Sequence, residues 1–554
     1  MADQGTAVWN QVATLADVNA YEGDTALQAA VQNLATPVDT SLFRQHGQWA
    51  GASASRLLAD EANHHVPQHQ AWDALGRRQD AVVFHPSWHA LMTQGFAYGL
   101  HGSRDANQPI PNTIRAVHFM LHGQLEAGSL CPLTMTNAAR ALLCDDSRFA
   151  AFVTRMQSRR YDSRDVFWSE KTGVMVGMGL TEKQGGTDLR LCQTRAVPVA
   201  TPEHAILSAT ESQHYALTGH KWFYSSPTSD AHLVLAQEQP LAELSCFFVP
   251  RWLAPGLRNA VRINRLKDKL GNRSNASAEV EFDGALALRV GAPGRGIALL
   301  MTMAGLTRLD CVMGSTALMR QGVVQALYYA RHRQVMGRLL VDQPLMREVL
   351  ADLALESEAA TTLAVHLAHA FDHDDEQARA WQRVLTPAAK YWVCKRTVVC
   401  VAEAMECLGG NGYIEDGPLA RLYREAPVNA IWEGSGNVMC LDVLRALARQ
   451  PELGQALWDS LSPHCQDHAE MRRALRTLSE AAQGEMPSLQ RQARAFSRQL
   501  VCLVQAALLR QTAPAAVVDT FIQTRLVRPG LNPEANAILH DNADILLQRA
   551  WSCL

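Results

Sequence analysis

The sequence predicts a mainly α-helical protein with a central β domain, because its pattern changes twice along 554 residues. Residues 1–172 repeat apolar side chains at three- and four-residue steps, which indicates an N-terminal helical domain. Residues 173–290 contain short β-prone runs between turn residues, which indicates a small barrel or sandwich. Residues 291–440 return to long helical segments and predict a helical bundle, and residues 441–554 predict a further C-terminal helical domain.

In the first domain the clearest helix covers Thr113–Ala127, and prolines punctuate the chain around it. In the bundle, Met346–Phe371 has few helix breakers, and residues 483–490 look like a loop between two helices of the tail. The clearest strands of the β domain are Tyr215–Thr218, His232–Ala236, Cys246–Val249 and Ala278–Phe282.

Composition is typical of a globular protein and argues against several broad classes. Charged residues make up 19% and the net charge is -3, so the whole chain gives no case for nucleic-acid or membrane binding. No apolar run reaches 18 residues, and the N-terminus lacks a basic and apolar leader, so we expect neither a membrane span nor secretion. The 12 cysteines are scattered singly, which favours reduced thiols and a cytoplasmic location.

Histidine is frequent, with 20 residues, and His64-His65 is the pair most suggestive of a metal site. Adjacent residues do not share one face of a helix, so this pair is poorly placed to bind one ion. No cysteine and histidine cluster has zinc-like spacing, and we predict no metal site.

The first of four segments with candidate chemistry is the glycine-rich stretch Gly177–Asp188. Gly185-Gly186 lets the main chain approach a ligand closely, while Thr181 and Thr187 offer hydroxyls. Free N–H groups in such a turn can bind pyrophosphate oxygens. The stretch is not the GxGxxG of a Rossmann fold, and taken alone it is more often an ordinary turn.

The second segment, Thr218–Ser225, contains the consecutive aromatic residues Trp222, Phe223 and Tyr224. Side chains alternate along a strand, so these three cannot all lie on one face. One face can pack the barrel while the other covers a flat ring system, although an ordinary aromatic strand explains the pattern as well.

The third and fourth segments end and begin helices. In Ala402–Tyr413 a helix ends in Gly409-Gly410, which is a C-cap that also exposes main chain to a phosphate. In Ala430–Asp442, Glu433 lies among apolar residues and glycines before a helix that starts near Asn437. Glu433 is a candidate general base, or else a helix-start carboxylate that the dipole favours.

The four segments, in this order and spacing, resemble the acyl-CoA dehydrogenase superfamily. The resemblance runs from about Thr14 to the C-terminus and is strongest over 116–445. It implies an acyl-CoA dehydrogenase-like fold, with an N-terminal helical domain, a β-barrel and a helical bundle around FAD, to which the tail is added. Four phrases look specifically like the AidB branch, from the bacterial adaptive response to DNA alkylation: Met178–Asp188, Lys221–Ser225, Arg265–Ser277 and Ile431–Asn437.

The resemblance also implies which residues bind FAD. Some positions reach the FAD of a neighbouring subunit, which implies a homo-oligomer, commonly a tetramer in this family. The first loop contributes Met178, Leu180, Thr181, Gly186 and Thr187, and the covering strand contributes Phe223, Tyr224 and Ser225. The turn beside the flavin contributes Trp432, Gly434, Ser435 and Asn437. The inter-subunit positions are Arg333, Gln343, Gly409 and Gly410.

Glu433 falls on the catalytic-base position of most acyl-CoA dehydrogenases. There a carboxylate removes the α-proton of an acyl thioester, and the β-hydrogen leaves as hydride to the flavin. Some branches place the base on another helix, at the position of Thr307 here, and threonine cannot serve. The resemblance therefore implies Glu433 as the base and Arg308 as a supporting arginine.

Three departures weigh against an ordinary dehydrogenase. The aromatic–threonine pair of the covering strand is Phe223 and Ser225 here, with Tyr224 between them. The proline–glycine of the first loop is Lys183-Gln184, which adds a charge near the expected substrate entrance. The tail extends the fold, and in the AidB branch it resembles a double-stranded DNA-binding domain.

The tail 441–554 contains 12 arginines, 11 acidic residues and no lysine. Arginine suits bidentate phosphate contacts, and a stripe of arginines along a helix could track a duplex backbone. The alternative is a solvated face that the interspersed acids neutralise. The candidates for DNA contact are Arg445, Arg472, Arg473, Arg476, Arg491, Arg494, Arg498, Arg525 and Arg528.

Three functions stay open on these observations. The first is a DNA-associated FAD protein that protects DNA from alkylation damage and acts, if at all, on an acyl-CoA or a small alkylating agent. The second is a metabolic acyl-CoA dehydrogenase for a short branched substrate such as isovaleryl-CoA. The third keeps the flavin without catalysis, as a structural or redox-sensing DNA binder. The tail separates the first and third functions from the second.

Overall fold

The computed structural model describes residues 8–34, 38–102, 104–105, 108–200, 202, 206–208, 213–527 and 533–552. The chain divides into two compact units. We call 56–111 with 126–310 the barrel unit, and 1–55 with 112–125 and 311–554 the helical unit. The predicted division into four domains stays a prediction.

Helices make up most of the fold, and the strands are concentrated in one part of the chain. In chain order the α-helices are α1 (Thr25–Gln32), α2 (Ser41–Ala50), α3 (Ser53–His64), α4 (Pro86–Ala97), α5 (Asn112–Leu125), α6 (Leu130–Leu143), α7 (Ala150–Met156), α8 (Gly296–His332), α9 (Pro344–Ala370), α10 (Glu376–Ala380), α11 (Thr386–Cys407), α12 (Gly410–Tyr413), α13 (Pro418–Glu425), α14 (Gly436–Arg449), α15 (Pro451–Cys465), α16 (Ala469–Ala482), α17 (Met486–Thr512), α18 (Ala515–Phe521), α19 (Pro533–Asp541) and α20 (Ala543–Ala550). The strands are β1 (Gln68–Trp72), β2 (Arg78–Val83), β3 (Arg104–Asp105), β4 (Gln108–Pro109), β5 (Val176–Gly179), β6 (Arg195–Val199), β7 (His214–Ser225), β8 (Ala231–Glu238), β9 (Glu243–Pro250), β10 (Trp252–Ala254), β11 (Leu257–Arg258), β12 (Val261–Leu266), β13 (Ser277–Val290), β14 (Gln334–Val335) and β15 (Arg338–Leu339).

The central strands of the barrel unit close on themselves. Pairing runs from β13 to β7, β6, β8 and β9, and β9 pairs back to β13. This closed ring confirms the predicted barrel, and all four predicted runs lie within its strands. Inward-facing apolar side chains fill it because they alternate along each strand, and they include Tyr215, Leu217, Val234, Phe247, Val249 and Phe282.

A bulge in β7 distributes its three aromatic residues. Lys221 lies opposite Val280 and Tyr224 lies opposite Ala278, so two residues of β7 face one residue of β13 between these pairs. Lys221 and Tyr224 therefore both point into the barrel, where they are 1% exposed, while Phe223 is 55% exposed.

The helical unit is organised around α9 and α11. The helices α1, α5, α17 and α20 pack against α9, while α13, α14 and α17 pack against α11. The predicted helices 113–127 and 346–371 are confirmed as α5 and α9. The predicted tail loop is confined to 483–485, because α17 already begins at Met486 with Pro487 in its first turn.

The predicted helical character of the first 172 residues is confirmed by α1–α7, but two small hairpins interrupt it. The strands of β1–β2 alternate between exposed and half-buried residues, with only one buried residue. Such a hairpin has almost no apolar face, so the hydrophobic periodicity of the sequence gives no signal for it.

The helix α8 is long and apolar enough to cross a membrane by length and composition alone, with a mean hydropathy of 1.4 over its best window. More than half of that window is buried inside the fold. Its Arg320 is itself buried and pairs with Asp24 at 3.0 Å. These features are typical of the core helix of a folded protein. The length and composition of α8 are therefore only weak evidence for a membrane span.

Candidate active site

The predicted flavin loop follows β5 in the barrel unit and forms a tight turn. The N–H of Gly185 donates to the carbonyl oxygen of Glu182 at 3.0 Å. Gly185 has a φ of 140°, and a Cβ on Gly186 would lie 2.4 Å from Thr181 Oγ1. Both positions therefore favour glycine, and the turn leaves its outer side open. Of the other predicted residues here, Thr187 is exposed, Leu180 is half-buried and Met178 is buried.

The loop and the predicted covering strand are brought together. The N–H of Trp222 donates to the carbonyl oxygen of Thr181 at 2.8 Å. Phe223 presents an exposed ring, and Ser225 Oγ lies 3.3 Å from Ser277 Oγ.

Tyr224 belongs to the predicted covering strand, but its side chain points away from the side that carries Phe223. The ring lies inside the barrel and stacks on His232, with ring centroids 3.9 Å apart. The bulge in β7 turns this side chain inward, to the opposite side of the strand from Phe223.

Cations surround the half-buried ring of Trp222 and the exposed ring of Phe223 in β7. Lys267 Nζ lies 3.5 Å from the ring centroid of Trp222 and 4.8 Å from that of Phe223. Lys183 and Arg265 lie at 5.9 and 6.0 Å from the Trp222 centroid. Glu279 pairs with Lys267 at 2.6 Å and offsets part of this charge. The surface is suited to an anionic ligand with a flat ring.

The turn Trp432–Asn437 in the helical unit carries the predicted base. Glu433 has a φ of 58° and Gly434 a φ of 101°, so both lie in the left-handed region. For a glutamate this conformation is uncommon, and the surrounding structure must hold it. Lys390, which is 1% exposed, donates to the carbonyl oxygens of Trp432 and Gly434 at 2.6 and 2.5 Å.

Lys390 is a site residue that the sequence reasoning missed. Its only signal is a lone lysine in the mostly apolar stretch Thr386–Cys394 of α11. The same turn has two further anchors: Trp432 Nε1 donates to Asn429 Oδ1 at 3.0 Å, and Arg494 Nε donates to Asn437 Oδ1 at 2.8 Å. Ser435 is exposed beside them.

The remaining predicted cofactor residues of the helical unit lie in two places. Gly409 has a φ of 59°, and a Cβ on Gly409 or Gly410 would meet nothing within 4 Å, so the main chain there is open. Arg333 and Gln343 flank the hairpin β14–β15. The carbonyl oxygen of Arg333 accepts from the N–H of Leu340 at 2.7 Å, and Gln343 Nε2 donates to the carbonyl oxygen of Val335 at 2.9 Å.

Arg308 and Thr307 lie on the part of α8 that belongs to the barrel unit, and both are buried. Thr307 Oγ1 donates to the carbonyl oxygen of Ala304 at 3.3 Å, which is ordinary for a threonine in a helix. Nearby on α8, Asp310 accepts a hydrogen bond from Thr134 Oγ1 at 2.7 Å. Glu433 belongs to the helical unit.

The residues fit FAD in each unit taken by itself. In the barrel unit, an open glycine turn with two threonines lies beside an exposed aromatic ring and three cations, which suits a pyrophosphate and a flat ring system. In the helical unit, the main chain of Gly409 and Gly410 is open to close approach.

The tail arginines fall into two groups. Arg445, Arg472, Arg473, Arg476, Arg491 and Arg494 are exposed, and Arg498 is half-buried. Arg525 instead pairs with Asp352 at 2.5 Å and Glu356 at 2.9 Å, and its side chain is 13% exposed. Arg528 lies outside the described residues.

Among the described residues, one group has the composition of a metal site: the ligand atoms of Glu61, His65 and His85 all lie within 4.8 Å of one another. His85 Nδ1 accepts from the N–H of Ser87 at 3.3 Å, so Nε2 carries the proton toward Glu61 Oε2, also at 3.3 Å. The rings of His65 and His85 stack rather than converge on one point. A helix cap and a hydrogen bond account for this group.

Comparison with known proteins decides the family. The family model of the adaptive response protein AidB N-terminal domain matches residues 10–163, and the middle and C-terminal domains of acyl-CoA dehydrogenase match 177–285 and 294–448. The AidB protein of Escherichia coli (strain K12) is 48% identical over 453 residues, which are 81% of this chain and 81% of that protein. The chain belongs to the AidB family of acyl-CoA dehydrogenases. This membership confirms the predicted family and the prediction of FAD as its cofactor.

Solved structures support the same fold for this AidB family member. ACDH-11 of Caenorhabditis elegans, in complex with C11-CoA, is 25% identical with a TM-score of 0.83, over 98% of this chain and 97% of that chain. An acyl-CoA dehydrogenase of Bacillus anthracis complexed with FAD is 15% identical with a TM-score of 0.66, over 94% and 88%. The predicted fold class is confirmed.

Proposed function

We propose that this AidB family member is an FAD-containing flavoprotein that binds double-stranded DNA and protects it from alkylation damage. The observation that carries the proposal is the set of exposed arginines on α16 and α17. Arg472, Arg473 and Arg476 share one turn of α16, and Arg491 and Arg494 share a face of α17. The likeness to the E. coli AidB protein supports it.

The acidic residues near these arginines do not prevent the arginines from contacting DNA phosphates. Arg473 pairs with Glu470 at 2.6 Å and Arg476 with Glu480 at 3.9 Å, on the surface and on the same helix. Exposed pairs of this kind stabilise a protein by about 0–1 kcal/mol, so exchanging them for phosphate contacts costs little. Arg525 is not part of the proposed surface, because Asp352 and Glu356 hold its guanidinium.

The test is duplex affinity across a salt series with one reversed charge. Arg476→Glu should weaken binding about tenfold at low salt and reduce the slope of log affinity against log salt by about one or more, since each phosphate contact contributes about 0.9. Arg77→Glu is the matched control, because Arg77 is also exposed and pairs with an acid, Asp73, but lies in the barrel unit. Equal losses in both variants, or no binding at low salt, would reject the proposed surface.

Acyl-CoA dehydrogenation is the second candidate activity, and the held conformation of Glu433 favours it. Two hydrogen bonds from Lys390 fix the turn around Glu433, as positioning a general base requires. The C. elegans relative in complex with C11-CoA supports an acyl-CoA ligand. Bound FAD supplies the hydride acceptor, and the Glu433 carboxylate takes the α-proton of the thioester.

Glu433→Gln tests this assignment because glutamine keeps the size of the side chain and removes the base. Turnover of an acyl-CoA panel should fall by about 10²–10⁴-fold, the usual contribution of a general base. The FAD content of the purified protein should stay unchanged. A variant that keeps its turnover would remove Glu433 as the base.

A homo-oligomer, with a tetramer as the expected form, is part of the proposal. Three large apolar side chains are strongly exposed around the positions that resemble inter-subunit contacts: Met336 at 93%, Leu345 at 77% and Tyr413 at 78%. Met336→Asp with Tyr413→Asp should lower the mass measured by light scattering. The control is Leu75→Asp, equally exposed in the barrel unit. A monomeric wild-type protein would contradict the proposal.

A further inference from the structure

The glycine loop Thr181–Thr187 is mostly exposed, yet it contains one side chain that is turned completely inward. Glu182 is 1% exposed, while the next two residues, Lys183 and Gln184, are exposed. A carboxylate is costly to bury and is retained only where hydrogen bonds and an opposite charge compensate it.

Both oxygens of the Glu182 carboxylate are saturated by donors of the same unit, so the group cannot bind a ligand. Burial alone would raise the pKa of Glu182, but the Lys221 ammonium and these hydrogen bonds hold it well below its usual range. The donors are Lys221 Nζ at 2.7 Å, Thr194 Oγ1 at 2.6 Å, the N–H groups of Gln193 and Thr194 at 2.7 and 3.1 Å, Gln184 Nε2 at 2.6 Å and Cys192 Sγ at 3.1 Å.

Lys221 is the centre of this network and connects three parts of the barrel. Its side chain is fully buried, and Nζ donates to the carbonyl oxygen of Leu235 in β8 at 2.8 Å as well as to Glu182. Lys221 lies in β7, two residues before Phe223, and faces inward by the same alternation as Tyr215 and Leu217. The pair therefore couples the loop to the strand that presents the exposed ring.

The charges of Lys221 and Glu182 also affect an anionic group bound at the N–H groups of the loop. An unpaired buried carboxylate there would repel an anionic group at the loop N–H groups, and the Lys221 ammonium cancels this field. Burying an ion pair adds little to stability, so a stability role alone accounts poorly for its presence in the barrel.

We propose that the buried pair of Lys221 and Glu182 positions the loop Thr181–Thr187 for the pyrophosphate and ring of FAD. Both are positioning residues that act through the loop main chain and do not touch the cofactor. The proposal rests on FAD as the cofactor of the flavoprotein function proposed above.

The experiment compares Glu182→Gln and Lys221→Met with Lys171→Met in the full-length protein. Lys171 is the matched control, because it forms a buried pair with Asp230 in the same unit, at 2.8 Å and 4% exposure of each side chain. Thr194→Val removes one hydrogen bond from Glu182 without leaving a buried charge unpaired, and it serves if the charge variants fail to fold.

Two readouts separate this inference from the cofactor assignment. Hydrogen exchange of the loop amides in the FAD-free protein should accelerate at least tenfold in the Glu182, Lys221 and Thr194 variants and stay unchanged in Lys171→Met. The Kd for FAD, measured by quenching of flavin fluorescence, should rise at least tenfold in the same variants only. Unchanged loop exchange overturns the inference whether or not FAD binds. If the variants show faster loop exchange but neither they nor the wild-type protein bind FAD, the pair still holds the loop in place. That result would overturn the proposal that it does so for FAD.

Discussion

Arg494 Nε donates a 2.8 Å hydrogen bond to Asn437 Oδ1, and this contact joins two features that the sequence presents as separate. Arg494 lies on α17, in the stripe proposed to contact DNA. Asn437 lies in the first turn of α14 and is the last residue of the turn Trp432–Asn437 that carries Glu433. Asn437 is also one of the residues that the resemblance implies for FAD binding. A duplex phosphate that draws Arg494 away would release Asn437, so the affinity for DNA and the affinity for FAD should be linked.

Arg494→Ala should therefore weaken two interactions at once. Duplex affinity should fall, and the Kd for FAD should rise about threefold to tenfold, since a net hydrogen bond contributes about 1 kcal/mol. Arg491→Ala is the control, because Arg491 is exposed three residues earlier on the same helix. It should lower duplex affinity and leave the Kd for FAD unchanged. An identical Kd for FAD in both variants would dissolve the proposed link.

Lys390→Met should loosen the turn that carries Glu433. Methionine keeps most of the side-chain volume but leaves the carbonyl oxygens of Trp432 and Gly434 without their donor. A fully buried carbonyl left unsatisfied costs about 1–3 kcal/mol, and these two belong to half-buried residues, so the free energy of unfolding should fall by about 1–3 kcal/mol in a denaturant titration. Lys395→Met, five residues later on α11, should change it far less. Similar losses in the two variants would contradict the role of Lys390.

The sequence was informative where structure is local. The strands β7, β8, β9 and β13 and the helices α5 and α9 follow the two- and 3.6-residue periods of their own residues, so their patterns were sufficient. The turn at Gly185-Gly186 also follows from its own residues, because Gly185 has a positive φ and Gly186 leaves no room for a Cβ beside Thr181; its role in binding flavin stays a prediction.

The sequence was uninformative where the decisive partner is distant. Lys390 lies 44 residues from the carbonyl of Gly434 that it holds, and Glu182 lies 39 residues from Lys221. The inward position of Tyr224 depends on a bulge opposite β13, which no local alternation reveals. The division of the tail arginines into exposed and paired groups was not predictable for the same reason, because only the fold brings Arg525 to Glu356.

Arg525→Met should destabilise the whole protein rather than reduce DNA affinity alone. Burial would raise the pKa of Glu356, but the guanidinium groups of Arg396 and Arg525 hold it below its usual value, so the carboxylate is charged. Removing one partner of a buried pair costs about 3–5 kcal/mol, and the double variant Glu356→Gln/Arg525→Met should recover part of that loss.

Arg510→Met is the comparison for that series, because Arg510 pairs with Asp467, which is 70% exposed. It should cost less than about 1 kcal/mol.

The same reasoning predicts that a chain truncated after residue 449 unfolds or aggregates, since Arg525 and Arg549 are lost while Glu356 and Glu358 stay in α9. A truncated chain with the full-length melting temperature would contradict the structural role of these arginines.

His232 should make the stability of the protein fall on mild acidification. Burial lowers the pKa of His232 to about 3, and the ring stacks on Tyr224 inside the barrel. The unfolded state, with an ordinary pKa near about 6.5, binds the proton more readily, so this contribution to stability is complete above that value and is lost below it. Between pH 7.5 and 5.5 the loss is about 1.4 kcal/mol for one such histidine. His232→Gln should reduce the pH dependence by that amount in urea titrations at the two pH values, whereas the exposed His332→Gln should leave it unchanged. An equal slope in His232→Gln and the wild type would show that His232 takes up its proton without unfolding.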